Sequence, residues 1–223
     1  MQVKTINSIS NIKKTNKTAT NNINFASKDS VNLSFKKGVE KKQGFIDKIK
    51  TKINDIRREK YEKSLPQNLS DKQLENAISW HGREYLESLK TREDREKFLV
   101  LMSTDFEGKP MSGLSQTISA YEANQVITKG IDDIQTYINL VGHDKNYQPL
   151  SGLSRILSRY ETGEIMAAGV TDFERYIDLV DLDENKQPKS GNSRTLTLQE
   201  AITVLTQDIE DVEGFIAQQD KNK

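Results

Sequence analysis

The chain has 223 residues, no cysteine and a formal net charge of zero, with 33 Lys and Arg against 33 Asp and Glu. The lack of cysteine excludes a disulfide scaffold, a thiolate zinc site and a cysteine nucleophile, and no apolar run is long enough to span a membrane. The zero charge combines two unlike parts. Residues 1–63 carry 16 basic and 6 acidic residues, a net charge of +10, whereas residues 64–223 carry 17 and 27, a net charge of −10.

Residues 1–38 are predicted to form a disordered basic arm. Asp and Glu are absent from residues 1–28, where Asn, Ser, Thr and Lys dominate, and so few apolar side chains do not offset the entropy of ordering. The segment lacks the apolar core of a secretory signal peptide. In composition it resembles organellar transit peptides and the uncleaved export signals of bacterial effectors. We therefore expect a cytoplasmic protein, or one exported without a cleaved signal peptide.

Residues 39–64 are predicted to form a basic amphipathic helix. Its apolar residues follow spacings of 4, 4 and 3 along one helical stripe, with Ile46 beside it: Phe45, Ile49, Ile53 and Ile56. The favoured interpretation is that this stripe packs onto the helices that follow. The alternative is association with nucleic acid or an anionic membrane through residues 36–63, which the acidic residues of the same helix would weaken.

A period of 39 residues organises the rest of the chain. The positions retained in the loop of every copy are Asp105, Asp144 and Asp183, then Pro110, Pro149 and Pro188, then Gly113, Gly152 and Gly191. Many further matches follow without a single insertion, which excludes chance and predicts tandem repeats. We assign residues 65–220 to a repeat domain with units of about 69–102, 103–141, 142–180 and 181–218, of which the first is divergent.

Each unit is predicted to be helical because it contains the signal that opens a helix. A hydroxyl residue precedes a glutamate by three positions at Ser119 and Glu122, Ser158 and Glu161, and Thr197 and Glu200, which is the capping-box pattern. A short first helix then ends near Gly130 or Gly169. A second helix and a 16-residue loop follow, the loops spanning residues 103–118, 142–157 and 181–196.

In the divergent unit, Ser70 and Gln73 form the equivalent box, and one longer first helix is expected to extend through Leu89. Since a short helix pair buries little surface alone, neighbouring pairs should stack. The predicted fold is therefore all-α, with tandem helix-loop-helix repeats stacked as a short solenoid or compact bundle behind the disordered arm.

The retained loop residues have a structural interpretation and a metal-binding alternative. Asp, Pro, Gly and Ser all shape turns, so a fixed loop conformation accounts for them. In the third copy, however, oxygen-bearing residues alternate and a glutamate precedes the helix, at Asp181, Asp183, Asn185 and Glu200. This pattern resembles an EF-hand and implies calcium binding. It departs from the EF-hand in its longer loop and in Lys186, which stands in place of the central glycine.

We find no pattern that predicts an enzyme. The two histidines, His81 and His143, lie in different units, and the sequence contains no phosphate-binding glycine loop or nucleophile elbow. The sequence predicts a non-catalytic helical-repeat module without a cofactor, which acts as a scaffold or binds a protein partner through its repeat surface or loops. A calcium-binding EF-hand-like protein and a basic helix that binds membrane or nucleic acid are the alternatives.

Overall fold

The structure, a computed structural model, describes the backbone of residues 28–221 and the side chains of residues 43–221. Within that range the fold is all-α, as predicted, with ten helices, a short 3-10 turn at Pro66–Asn68 and no β-strand beyond isolated bridges. The helices are α1 Lys28–Ser64, α2 Asp71–Ser79, α3 Arg83–Ser88, α4 Arg92–Met102, α5 Ala120–Thr128, α6 Ile134–Val141, α7 Arg159–Ala167, α8 Phe173–Val180, α9 Leu198–Thr206 and α10 Val212–Lys221. None of these described helices is long and apolar enough to cross a bilayer.

The chain divides into two compact units, Met1–Asp55 and Ile56–Lys223. Helix α1 begins at Lys28, so residues 28–38, which were predicted to be disordered, are helical. The remainder of the predicted arm, residues 1–27, lies outside the described residues.

The apolar stripe of α1 is exposed. Phe45 is 65% exposed, and Ile46, Ile49, Ile53 and Ile56 are each 43–46% exposed. The expected burial of this stripe is therefore wrong. Hydrophobic periodicity identifies an amphipathic helix but does not identify what covers its apolar face.

The core of the second unit consists of two apolar clusters that follow one another along the chain. The first contains buried residues from Leu74 to Ile138, the second contains buried residues from Leu140 to Ile216, and Met166 packs against both. Helix α4 contacts α5, α6 contacts α7 and α8 contacts α9. The second helix of each 39-residue copy thus packs on the first helix of the next copy along the chain.

All the predicted capping boxes are present. Helices α2, α5, α7 and α9 begin after Ser70, Ser119, Ser158 and Thr197, and each hydroxyl accepts a hydrogen bond from the backbone N–H three residues on. The first helices then end where predicted, because Gly130 and Gly169 adopt φ of 66° and 79°. In the third copy the equivalent Asp208 adopts the same left-handed conformation, with φ of 49°.

The single long first helix expected in the divergent unit is instead two helices, α2 and α3. The N–H groups of His81 and Gly82 both reach back to the carbonyl of Ile78 and end α2. Gly82 then takes φ of 151°, which an L-residue rarely adopts. The apolar spacing through Leu89 predicted continuity because it does not register a backbone break at one glycine.

Each long loop returns to the helix that it left. The backbone N–H groups of Ile118, Leu157 and Leu196 donate to the carbonyls of Leu101, Leu140 and Leu179 at 3.2, 3.0 and 2.8 Å. Both members of every pair are buried. The loops are therefore fixed at both ends, and each one delivers the following helix to its position beside the previous one.

Candidate binding groove and repeat loops

The retained aspartates shape the three loops identically. Oδ1 of Asp105 accepts from the backbone N–H groups of the residues two and four positions later, both at 2.8 Å, and Asp144 and Asp183 do the same at 2.8 and 2.9 Å. Each retained proline forms an isolated bridge to the residue six positions earlier: Thr104 with Pro110, His143 with Pro149, and Leu182 with Pro188. The glycines Gly113, Gly152 and Gly191 take φ of 73–76°. The loop conformation thus uses every retained position.

The four residues of the calcium alternative have protein partners. Asp181 accepts from Arg155 at 2.8 Å and lies 3.5 Å from Lys189. Asp183 accepts a hydrogen bond from the backbone N–H of Asn185. Glu200 forms the capping box with Thr197. Among the described residues no group of three or more His, Cys, Asp or Glu side chains is arranged to hold a metal ion. Calcium binding remains a prediction that would require Asp183 and Glu200 to exchange these partners for the metal.

An arginine ties two carboxylates together in each of the last two copies. Arg155 donates to Glu161 and Asp181, both at 2.8 Å. Arg194, 39 residues later, donates to Glu200 and Asp220, both at 2.9 Å. These arginines and their second carboxylates were missed from the sequence, although all three positions recur at the repeat spacing. The signal was incomplete because Gln116 and Gly142 occupy the equivalent positions in the first full copy.

The arginines hold the capping glutamates in the charged state. Burial acts to raise the pKa of Glu161, but hydrogen bonds from Arg155 and Ser158 outweigh it and lower that pKa to about 2. For Glu200, hydrogen bonds from Arg194 outweigh burial and lower the pKa to about 2. Each of these carboxylates accepts hydrogen bonds from an arginine and from its capping residue at a helix start, so both stabilise the start of a helix.

In the first full copy the capping glutamate finds its arginine elsewhere. Glu122 accepts from Arg159 at 2.7 Å, and Arg159 is the first residue of α7 in the next copy. A second ion pair joins the other ends of the same two helices, with Lys129 Nζ 2.9 Å from Glu164 Oε1. Helices α5 and α7 are therefore clamped at both ends.

Beyond the C-terminal ends of these two helices lies a groove with a volume of about 310 Å³. Equivalent residues of two successive copies line it: Gly130 with Gly169, Ile131 with Val170, and Asp132 with Thr171. The half-buried side chains of Met166 and Phe173 supply further apolar lining. The chain enters the groove in the same way twice, because the N–H groups of Ile131 and Val170 reach back to Val126 and Ile165 at 2.8 and 2.9 Å.

The wall of the groove is acidic. Asp132 and Asp133 are exposed, and both also line a second cavity of about 370 Å³ that includes Val100 and Leu114. Hydrogen bonds from the hydroxyl and the backbone N–H of Thr136 lower the pKa of Asp133 below its ordinary value. Two apolar cavities thus flank one pair of carboxylates.

Each of the two histidines lies against an aromatic ring. His81 lies edge-on to Phe98 with ring centroids 6.3 Å apart, and His143 stacks on Tyr147 at 4.9 Å.

Comparison with known proteins finds no family model, no curated protein and no solved structure that matches the chain.

Proposed function

We propose that the chain is a non-catalytic module of tandem helical repeats that binds a protein partner through its second unit. The observation that supports this proposal is the groove between the α5–α6 and α7–α8 connections. Equivalent residues of successive copies line it, so it arises from the repetition itself, as do the binding surfaces of other repeat arrays. Concave apolar sites with a few convergent polar groups are typical of binding sites.

The lining of the groove indicates the chemistry of the partner. Asp132 and Asp133 stand between two cavities whose walls include apolar side chains, among them Met166 and Phe173 in one and Leu114 in the other. A peptide segment that places apolar side chains in both cavities and a lysine or arginine between them would satisfy all three features. The net charge of −10 on residues 64–223 favours the approach of such a basic segment.

Selection from a displayed random peptide library against the full chain tests this proposal. We expect enrichment of sequences with two apolar residues flanking a basic one, and a synthetic peptide of that sequence should bind in fluorescence anisotropy. Thr171→Arg places a long cation at the exposed rim and should weaken binding roughly tenfold or more, because it occupies the groove and repels the peptide. Gln199→Arg adds the same charge to the exposed surface of α9 and should leave binding unchanged.

A second variant tests the charge requirement. Asp132 is exposed, whereas Asp133 caps α6, so Asp132→Asn removes charge from the wall without removing the helix cap. It should weaken binding and flatten its dependence on salt. Enrichment of unrelated sequences, or equal binding of the selected peptide to Thr171→Arg and Gln199→Arg, would show that the groove is not the binding site.

A further inference from the structure

The apolar stripe of α1 is a second surface, independent of the groove. Phe45, Ile46, Ile49 and Ile53 fall within an arc of about 100° on the helix, given 3.6 residues per turn. All four side chains are 43–65% exposed. Such a contiguous apolar face marks a surface that binds something.

Charged residues are sorted around this stripe. Lys50 lies about 40° beyond one edge of the arc and Lys52 about 20° beyond the other, so a cation borders each side. Asp47 and Asp55 lie on the opposite half of the helix, where Asp47 also accepts a hydrogen bond from Gln43 at 3.1 Å. The negative charge of this segment therefore points away from the stripe and the positive charge lies beside it.

We propose that α1 lies in the plane of an anionic lipid surface, with its apolar stripe among the acyl chains and its bordering lysines at the headgroups. A helix in this position buries its apolar face and extends the long lysine side chains to the phosphates. Each cation near an anionic leaflet adds to the affinity, and Asp47 and Asp55 remain in water. One flat anionic surface satisfies Lys50 and Lys52 together, whereas a protein groove would need carboxylates on both of its rims.

Cosedimentation of the full chain with lipid vesicles tests the proposal. The chain should sediment with phosphatidylcholine vesicles that contain phosphatidylglycerol, and much less with pure phosphatidylcholine. Ile49→Asn and Ile53→Asn should each reduce the partition coefficient roughly tenfold or more. Burial of one isoleucine side chain contributes more free energy than a tenfold change in the partition coefficient requires. Thr51→Asn is the matched control, since Thr51 lies at the centre of the opposite face, and it should partition like the unmodified chain.

Two further measurements separate the alternatives. Lys50→Gln combined with Lys52→Gln should lower the partitioning and weaken its dependence on salt, while circular dichroism confirms that every variant remains helical. Inorganic phosphate titrated alone should neither bind nor displace the chain from vesicles; displacement would mean that an anion site, and not the bilayer, is recognised. The proposal is overturned if anionic vesicles do not bind the chain, or if Ile49→Asn dissociates a dimer in sedimentation velocity without altering vesicle binding.

Discussion

Glu161 should make the stability of the second unit depend on pH. Its carboxylate accepts from the backbone N–H of Ser158 at 2.9 Å, from Arg155 at 2.8 and 3.3 Å, and from the hydroxyl of Tyr176 at 3.1 Å. The substitution Glu161→Gln keeps the size of the side chain and removes its charge. It therefore weakens the capping box and the arginine pair together, and it leaves the positive charge of Arg155 poorly compensated beside Asp181 alone.

The magnitude follows from the shifted pKa. The pKa of Glu161 is about 2 in the folded chain against an ordinary value of 4.5, which corresponds to about 3 kcal/mol of stability at neutral pH. Because the side chain is 22% exposed, solvent screening reduces our expectation to about 2 kcal/mol. The folded-state pKa is lowered, so this stability is fully present above the unfolded pKa of 4.5 and is lost as pH falls toward 2.

Urea denaturation of the full chain and of Glu161→Gln, at neutral pH and at about pH 3, measures this effect. We expect the free energy of unfolding to fall by about 2 kcal/mol at neutral pH and by roughly half of that or less at the acidic pH. Glu87→Gln, at an exposed position of α3, serves as the control and should change it by under about 0.5 kcal/mol at either pH. An equal loss at both pH values, or a loss no larger than that of Glu87→Gln, would refute the role of the charge.

The repeats provide two further predictions. Lys186→Gly should stabilise the chain by about 0.5–1 kcal/mol in thermal denaturation, because Lys186 has φ of 60° and relief of left-handed strain exceeds the added entropy of glycine. Gly108→Lys, at the equivalent position of the first loop, should destabilise the chain. A lower melting temperature for Lys186→Gly would contradict the reasoning. Gly163→Ala should destabilise by about 1–3 kcal/mol, because the new Cβ would lie 1.9 Å from Nε2 of the buried Gln125, whose side chain accepts from Tyr137 at 2.8 Å. In a Gln125→Ala background the same change should become stabilising, since alanine favours a helix over glycine by about 1 kcal/mol, and a thermodynamic cycle without that reversal of sign would exclude the contact as the cause.

The features that the sequence predicted well are those that depend on nearby residues. A capping box joins positions three apart, so Ser158 and Glu161 identify it without knowledge of the fold. The loop aspartates accept hydrogen bonds from residues two and four positions later, so their turn-forming role could also be predicted from the sequence. In the same way, Gly130 marked the end of α5 because only its own backbone conformation was involved.

The features that it could not predict depend on distant partners. Arg155 and Asp181 are 26 residues apart, as are Arg194 and Asp220, and their contact follows from how the second helix of a copy ends beside the start of its first. The prediction that the apolar stripe of α1 is buried was wrong for a different reason, which is that the stripe is a local pattern whose covering is not local. Periodicity alone does not distinguish an isoleucine face that packs on protein from one that stays exposed.

Sequence differences between the copies explain why the groove lies at the junction of α5 and α7. Helices α5 and α7 are joined by Glu122 with Arg159 at one end and Lys129 with Glu164 at the other. One step along the array, α7 and α9 cannot repeat either pair, because Leu198 replaces Arg159, Ala168 replaces Lys129 and Thr203 replaces Glu164. These two ion pairs constrain the helices that lead into Gly130 and Gly169, so the walls of the groove are positioned before a ligand arrives. A preformed site loses less entropy on binding, which favours this junction over the next one as the site of the proposed partner.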